Sequence, residues 1–225
     1  MFHQKDKITT ILFDLDGTLI DSIPDITAAL NQMRNIYKLK PVAPEVVRNI
    51  VGKGFPTTVK KILSIDLTDN EVESIFNAAY QHTLTAYSNC MGKHTTIFPD
   101  VVMTLKRLHA LKIKMAIVTN KEEKHAIETI KHSGLDEYIE LIVGGNTTTH
   151  YKPHPEPLRY AMNKLNAVSL ETIMVGDSES DINAAKSAGI KSIAVTYGYN
   201  HGRPIEESNP DAIIHNINEL LSFID

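Results

Sequence analysis

The chain has 225 residues, 42% of them hydrophobic, and a formal net charge of -4. That is enough apolar material for a sizeable core and too little clustered positive charge for a surface that grips a nucleic-acid backbone. A single cysteine, Cys90, excludes an intrachain disulfide, and with no Cys-His motif around it a partly buried, inert thiol is expected.

Thr10-Ile11-Leu12-Phe13 is an apolar run ending at Asp14 and reads as a buried strand of the parallel-sheet kind. The stretch before it, from Met1 to Thr10, is polar and lacks the apolar segment of a secretion signal. All apolar runs are strand-sized, so no membrane span and a cytoplasmic location are expected. A turn signal follows at Asp16-Gly17-Thr18. From Pro24 to about Tyr37 the pattern is helical, with Ile26, Ala29, Leu30 and Met33 on one face. Residues 44–90 carry helical signals only: Val59, Ile62 and Leu63 share a face, and Asp69 is placed to cap a helix striped with Val72, Ile75, Phe76, Ala79 and Thr83.

Beyond Pro99 the rhythm becomes strand and helix in alternation. Val101, Val102, Leu105 and Leu108 make a helix face before a strand at Met115–Val118. Ala126, Ile127 and Ile130 mark a helix ending near Gly134, then a strand at Glu140–Val143. Leu158, Ala161, Met162 and Leu165 mark the next helix, then a strand at Thr172–Val175. A helix at Ile182–Ala188 closes at Gly189, strands follow at Ser192–Val195 and Ala212–Ile214, and a short helix spans Asn218–Ile224. Such alternation predicts an α/β fold: a Rossmann-like parallel sheet with helices on both faces. The helical stretch interrupts it after the first strand and so reads as an insertion. The expected division is a core of residues 1–20 and 93–225 around an inserted helical domain of residues 21–92.

Four polar clusters stand out, three of them directly after strands: Asp14-x-Asp16-Gly17-Thr18, Thr119-Asn120-Lys121, Lys152-Pro153-His154-Pro155, and Gly176-Asp177 through Asp181. The carboxyl ends of parallel strands converge on one edge, so the clusters can meet. Asp14, Asp16, Asp177 and Asp181 together would repel unless a cation joins them. Oxygen ligands with room for water and phosphate suit Mg²⁺. Lys152 offers a fixed charge, and the Thr119 hydroxyl and Asn120 amide can donate to phosphate oxygens. One carboxylate can attack phosphorus, and a second, two residues on, can protonate the leaving alcohol and then activate water.

In this order the clusters resemble the four motifs of the haloacid dehalogenase superfamily, and the insertion resembles its helical cap. The resemblance implies Asp14 as nucleophile and Asp16 as general acid/base. It implies Mg²⁺ held by Asp14, the Asp16 carbonyl and Asp177, with Thr119, Asn120 and Lys152 at the phosphate and Asp181 behind them. Within the superfamily the chain is most similar to the phosphoglycolate phosphatases, through Val51-Gly52-Lys53-Gly54, Thr196-Tyr197-Gly198-Tyr199 and Pro210-Asp211. A small phosphorylated metabolite, 2-phosphoglycolate first, is the implied substrate. Pyrophosphatases, sugar-phosphate phosphatases and phosphomutases share several of these features. Asp16 argues against dehalogenation, since a halide leaves unprotonated, and the intact acidic set argues against a non-catalytic binding protein.

Bland readings compete at each place. Asp-x-Asp-Gly alone is a turn or part of a calcium loop, but Thr18 and the preceding strand break that pattern. Thr119-Asn120 alone is a strand-end cap, Lys152 alone a loop lysine, and Asp177 or Asp181 a helix cap. His150 and His154 lack the companion Glu and helical setting of a zinc motif and read as loop residues. Gly52-Lys53-Gly54 is no P-loop; Lys53 or Arg48 is a candidate to reach a substrate carboxylate from the cap. Oligomeric state is not legible.

Overall fold

The computed structural model describes residues 7–224; the expectations placed on residues 1–6 and on Asp225 fall outside the described residues. Strand β1 (Thr10–Phe13) is buried along its whole length. After a tight loop the chain forms β2 (Ile20–Asp21) and then four helices, α1 (Ile23–Ile36), α2 (Pro44–Arg48), α3 (Phe55–Leu63) and α4 (Asp69–Cys90). It returns through β3 (Thr96–Ile97), which pairs antiparallel with β2. The rest alternates: α5 (Val101–Ala110), β4 (Lys114–Val118), α6 (Glu123–His132), β5 (Leu141–Val143), α7 (Glu156–Leu165), β6 (Thr172–Gly176), α8 (Glu179–Ala188), β7 (Lys191–Val195) and β8 (Ala212–Ile214). None of the described helices is long and apolar enough to cross a membrane.

Six strands form one parallel sheet in the order β5-β4-β1-β6-β7-β8. Burial on both faces explains why these strands read as apolar runs rather than alternating ones. On β1 the side chains divide by the two-residue period. Ile11 and Phe13 join a cluster with Val101, Leu105, Ala126 and Ile130, from α5 and α6. Leu12 faces the other way, toward Leu158, Ala161, Ala184 and Ala185, from α7 and α8. The helices therefore cover both faces. Phe13 pairs with Ile117 of β4 on one side and with Val175 of β6 on the other. The carboxyl ends of these three strands lie side by side, where the chain order reverses.

Helices α1 to α4 bury a separate cluster, including Leu30, Met33, Val59, Ile62 and Tyr87. Two polar devices hold it. Arg34, buried in α1, donates to the carbonyls of Lys40 and Ile62 and to Asp66. Asp25, fully buried, accepts from the backbone N–H groups of Gly92, His94 and Thr95 and from the Thr95 hydroxyl. It thereby ties the first helix of the insertion to the segment that leaves it.

Some local readings change. The two-residue strands β2 and β3 carry no period for a sequence pattern to show. Helix α4 is capped by Thr68, with Glu71 returning to the Thr68 backbone, rather than by Asp69. The last segment, Ile217–Phe223, is a run of tight 3-10 turns rather than an α-helix.

Candidate active site

The loop after β1 supplies Asp14 and Asp16, the end of β4 supplies Thr119, and the residue after β6 is Asp177. Asp14 continues the ladder, its N–H donating to Val175 O at 2.9 Å. Its Oδ1 accepts from the Leu15 N–H at 2.7 Å and lies 2.9 Å from Lys152 Nζ. Among the described residues its Oδ2 accepts no hydrogen bond. Lys152, 1% exposed, also donates to Val118 O and Asp181 Oδ1, each at 2.6 Å. Two N–H groups of the ammonium donate to these oxygens, and its charge also faces Asp14.

Asp181 does two jobs. One oxygen holds Lys152; the other accepts from the Ser178 N–H and hydroxyl, closing the capping box of α8. Asp177 accepts from the Thr18 hydroxyl at 2.9 Å and from the Tyr199 N–H at 2.6 Å. The segment after β7 braces this corner. Tyr197 donates to Thr18 O, and Tyr199 donates to Asp21 and lies in the apolar cluster of the insertion.

The electrostatics follow from this crowding. Burial pushes the Asp14 carboxyl up to about 6; Lys152 opposes the rise and Asp181 adds to it. Asp177 is raised well above the usual carboxylate range, by burial first and then by Asp14 and Asp181. Burial works to lower the Lys152 ammonium, but Asp14 and Asp181 hold it raised.

Carboxylate oxygens of Asp14, Asp177 and Asp181 lie within 4.8 Å of one another. Asp181 is engaged by Lys152 and Ser178, and Asp177 by Thr18 and Tyr199, so the three carboxylates form a crowded cluster of the kind that can hold a cation. The backbone fits that purpose. A Cβ on Gly17 would sit 2.3 Å from Asp177 Oδ2, and one on Gly198 would sit 2.1 Å from Asp177 Cβ. Only glycine lets both loops close on this carboxylate. Hard oxygen donors without a histidine or thiolate suit a hard divalent ion.

Asp14 and Asp16 open onto a cleft of about 440 Å³, counting its solvent-filled mouth, also lined by Ile26, Val51, Phe55, Thr119 and Lys121. The Thr119 oxygen accepts from the Lys121 N–H at 3.2 Å, and its own O–H meets no acceptor among the described residues. Asp16 accepts from the Ser22 hydroxyl at 2.5 Å and from Lys121 Nζ at 2.7 Å.

Asn120 differs from expectation. Its two amide N–H groups donate to Gly52 O at 3.0 Å and Lys152 O at 2.9 Å, and its oxygen accepts from the Lys152 N–H. In this arrangement the side chain is a strut joining the lysine loop to the insertion, with no donor left for phosphate. The two candidate cap cations are also displaced. Arg48 pairs with Asp21 at 3.1 Å and stacks on Tyr199, and exposed Lys53 lines neighbouring clefts instead. His150 does gain a companion: Glu156 Oε2 lies 2.7 Å from its Nδ1, with His154 stacked beside it. Lys121 and Tyr199 are the site residues whose parts no sequence pattern showed. Each acts on a residue more than 100 positions away.

A parallel sheet of this order, with four polar loops gathered at one edge, defines a class. The haloacid dehalogenase-like hydrolase family model matches residues 11–195, and the chain belongs to that family. Its relatives narrow the class to phosphatases. It is 39% identical over 213 residues to the phosphoglycolate phosphatase of Pseudomonas fluorescens Pf-5, covering 94% of this chain and 78% of that one. It is 37% identical over 222 residues to the phosphoglycolate phosphatase of Vibrio parahaemolyticus, covering 98% and 97%. A crystal structure from Haemophilus somnus, described as a predicted phosphoglycolate phosphatase, superposes with a TM-score of 0.88 at 31% identity over 97% of this chain and 98% of that one.

Proposed function

We propose that the enzyme hydrolyses a small phosphate monoester, 2-phosphoglycolate first, through a covalent aspartyl phosphate on Asp14. The observation that carries the reading is the division of labour on Asp14: one oxygen is pinned by Leu15 and Lys152, and the other accepts no hydrogen bond among the described residues. A carboxylate fixed in that way presents one oxygen for in-line attack without searching orientations. The substrate comes from the names of the relatives.

Asp14 Oδ2 attacks phosphorus, the P–O bond to the alcohol breaks, and the leaving oxygen takes a proton from Asp16. Asp16 then takes a proton from water as it attacks the acyl phosphate, releasing inorganic phosphate and restoring Asp14. Lys152 and the Thr119 hydroxyl bind the phosphoryl oxygens. Mg²⁺ would be held by Asp14, Asp177 and the Asp16 carbonyl. When bound it offsets the repulsion between carboxylates and phosphate and polarises the phosphoryl group. Asp181 orients Lys152. Residues 21–92 act as a cap that excludes water and selects the ester, and residues 1–20 and 93–225 do the chemistry.

The test is release of phosphate from a panel containing 2-phosphoglycolate, pyrophosphate and a sugar phosphate, with Mg²⁺ and with a chelator. The reading expects 2-phosphoglycolate to be cleaved best and chelation to abolish release reversibly. Pyrophosphate as the preferred substrate, or conversion of the sugar phosphate to an isomer without release, would replace it.

A further inference from the structure

We propose that Lys121 recognises a carboxylate carried next to the scissile phosphoester, and that it does so by exchanging its present partner, Asp16, for the substrate. The inference rests on the phosphatase reading above and assigns its selectivity to one residue.

A doubly anionic ester entering this cleft meets two carboxylates, Asp14 and Asp16, and apolar walls from Ile26, Val51 and Phe55. A second anion placed against such walls is costly unless a cation meets it. Among the described residues that line the cleft, Lys121 is the one cation. Lys152 is not among the residues lining the cleft, and its charge is shared between Asp14 and Asp181. Arg48 is bound to Asp21 and Tyr199, and Lys53 lines other clefts.

Lys121 is differently placed. Its side chain is 3% exposed, and its ammonium donates to Asp16 Oδ1 at 2.7 Å. The ring of Tyr87, from helix α4, lies 5.1 Å from it, so ring and carboxylate together hold the charge at the cleft. The reach is short. A leaving oxygen hydrogen-bonded to Asp16 Oδ2, and an ammonium bonded to Oδ1, stand roughly 4–7 Å from each other. That span suits a carboxylate one carbon from the ester oxygen. A neutral alcohol group leaves Lys121 on Asp16.

The experiment compares kcat/KM for 2-phosphoglycolate with kcat/KM for ethyl phosphate, which has the same carbon count and no carboxylate. It uses the full-length protein in saturating Mg²⁺, with Lys121→Gln and Lys121→Arg. The wild-type protein is expected to favour 2-phosphoglycolate, and Lys121→Gln to cut the ratio by about tenfold or more. The loss should fall mainly on KM for 2-phosphoglycolate, and Lys121→Arg should recover part of the ratio. An equal drop in kcat/KM for both esters would mean that Lys121 serves only Asp16, and would overturn the inference. Should Lys121→Gln not fold, the ratio in Lys121→Arg and competitive inhibition of the wild-type protein by glycolate but not ethanol decide it: a changed ratio with glycolate inhibition supports it, and neither effect refutes it. A wild-type protein that cleaves both esters equally removes the inference and keeps the phosphatase. One that cleaves neither removes both.

Discussion

Lys152 is the residue on which the site's charge balance turns. It is buried, and it pairs with two carboxylates, Asp14 and Asp181. Lys152→Met leaves Asp14, Asp177 and Asp181 without a resident cation. Urea unfolding should show a loss of about 3–5 kcal/mol for the metal-free protein, with turnover lost as well. The same charges set a pH dependence. Burial lifts Asp14 to about 6 and raises Asp177 too, so the folded chain takes up protons that the unfolded chain, with ordinary carboxylates, does not. The metal-free protein therefore gains stability from these groups as pH falls from above 6 toward about 4, the reverse of a salt-bridged carboxylate. Thermal unfolding checks this. Mg²⁺ should raise the midpoint at about pH 7.5 more than at about pH 5, where protons compete for the same oxygens. An equal rise at both would count against metal binding here.

At the scale of elements, the crossings between core and insertion matter most. Asp25 sits at the start of α1 and gathers three backbone N–H groups and a hydroxyl from residues 92–95. Asp25→Ala leaves those donors without their acceptor and should cost about 3 kcal/mol, with Asp25→Asn costing less; denaturant titration of both measures it. The loops around Asp177 are equally exacting. An alanine at Gly198 would place its Cβ 2.1 Å from that of Asp177. Gly198→Ala should raise the Mg²⁺ concentration for half-maximal activity about tenfold or more; an unchanged requirement would show that this close approach does not serve the metal.

These elements also show what a sequence can reveal. Residues 11–13 and 173–175 are legible because the middle of a strand buried on both faces is apolar at successive positions. Helices α1 and α4 are legible through their stripes. The strands β2 and β3 are too short to carry a period. Asp25 and Arg34 look like ordinary surface residues until the fold buries them. Lys121 stood in full view beside Thr119, but its chemistry comes from Asp16, 105 positions away, and no local pattern encodes that distance. Asn120 misled for the opposite reason: an amide after a strand suits phosphate, yet the neighbouring carbonyls of Gly52 and Lys152 claim it.

For the molecule as a whole, the sheet order explains why four separated clusters meet. Strand β1 lies between β4 and β6, so the residues that follow all three emerge on one edge. The helical insertion leaves from that edge through β2 and returns through β3, which puts Tyr87, Val51 and Phe55 over the same carboxylates. On the proposed reading, the chemistry belongs to the sheet and the choice of ester to what covers it. The most direct test is phosphate release from 2-phosphoglycolate in Mg²⁺ by the wild-type protein and by Asp14→Asn, with acid-quenched samples examined for phosphate bound to protein. The account predicts that Asp14→Asn folds normally and loses at least about 10³-fold in kcat, and that the wild-type protein alone carries phosphate on the peptide containing Asp14. Near-normal turnover by Asp14→Asn, or bound phosphate on another residue, would contradict it.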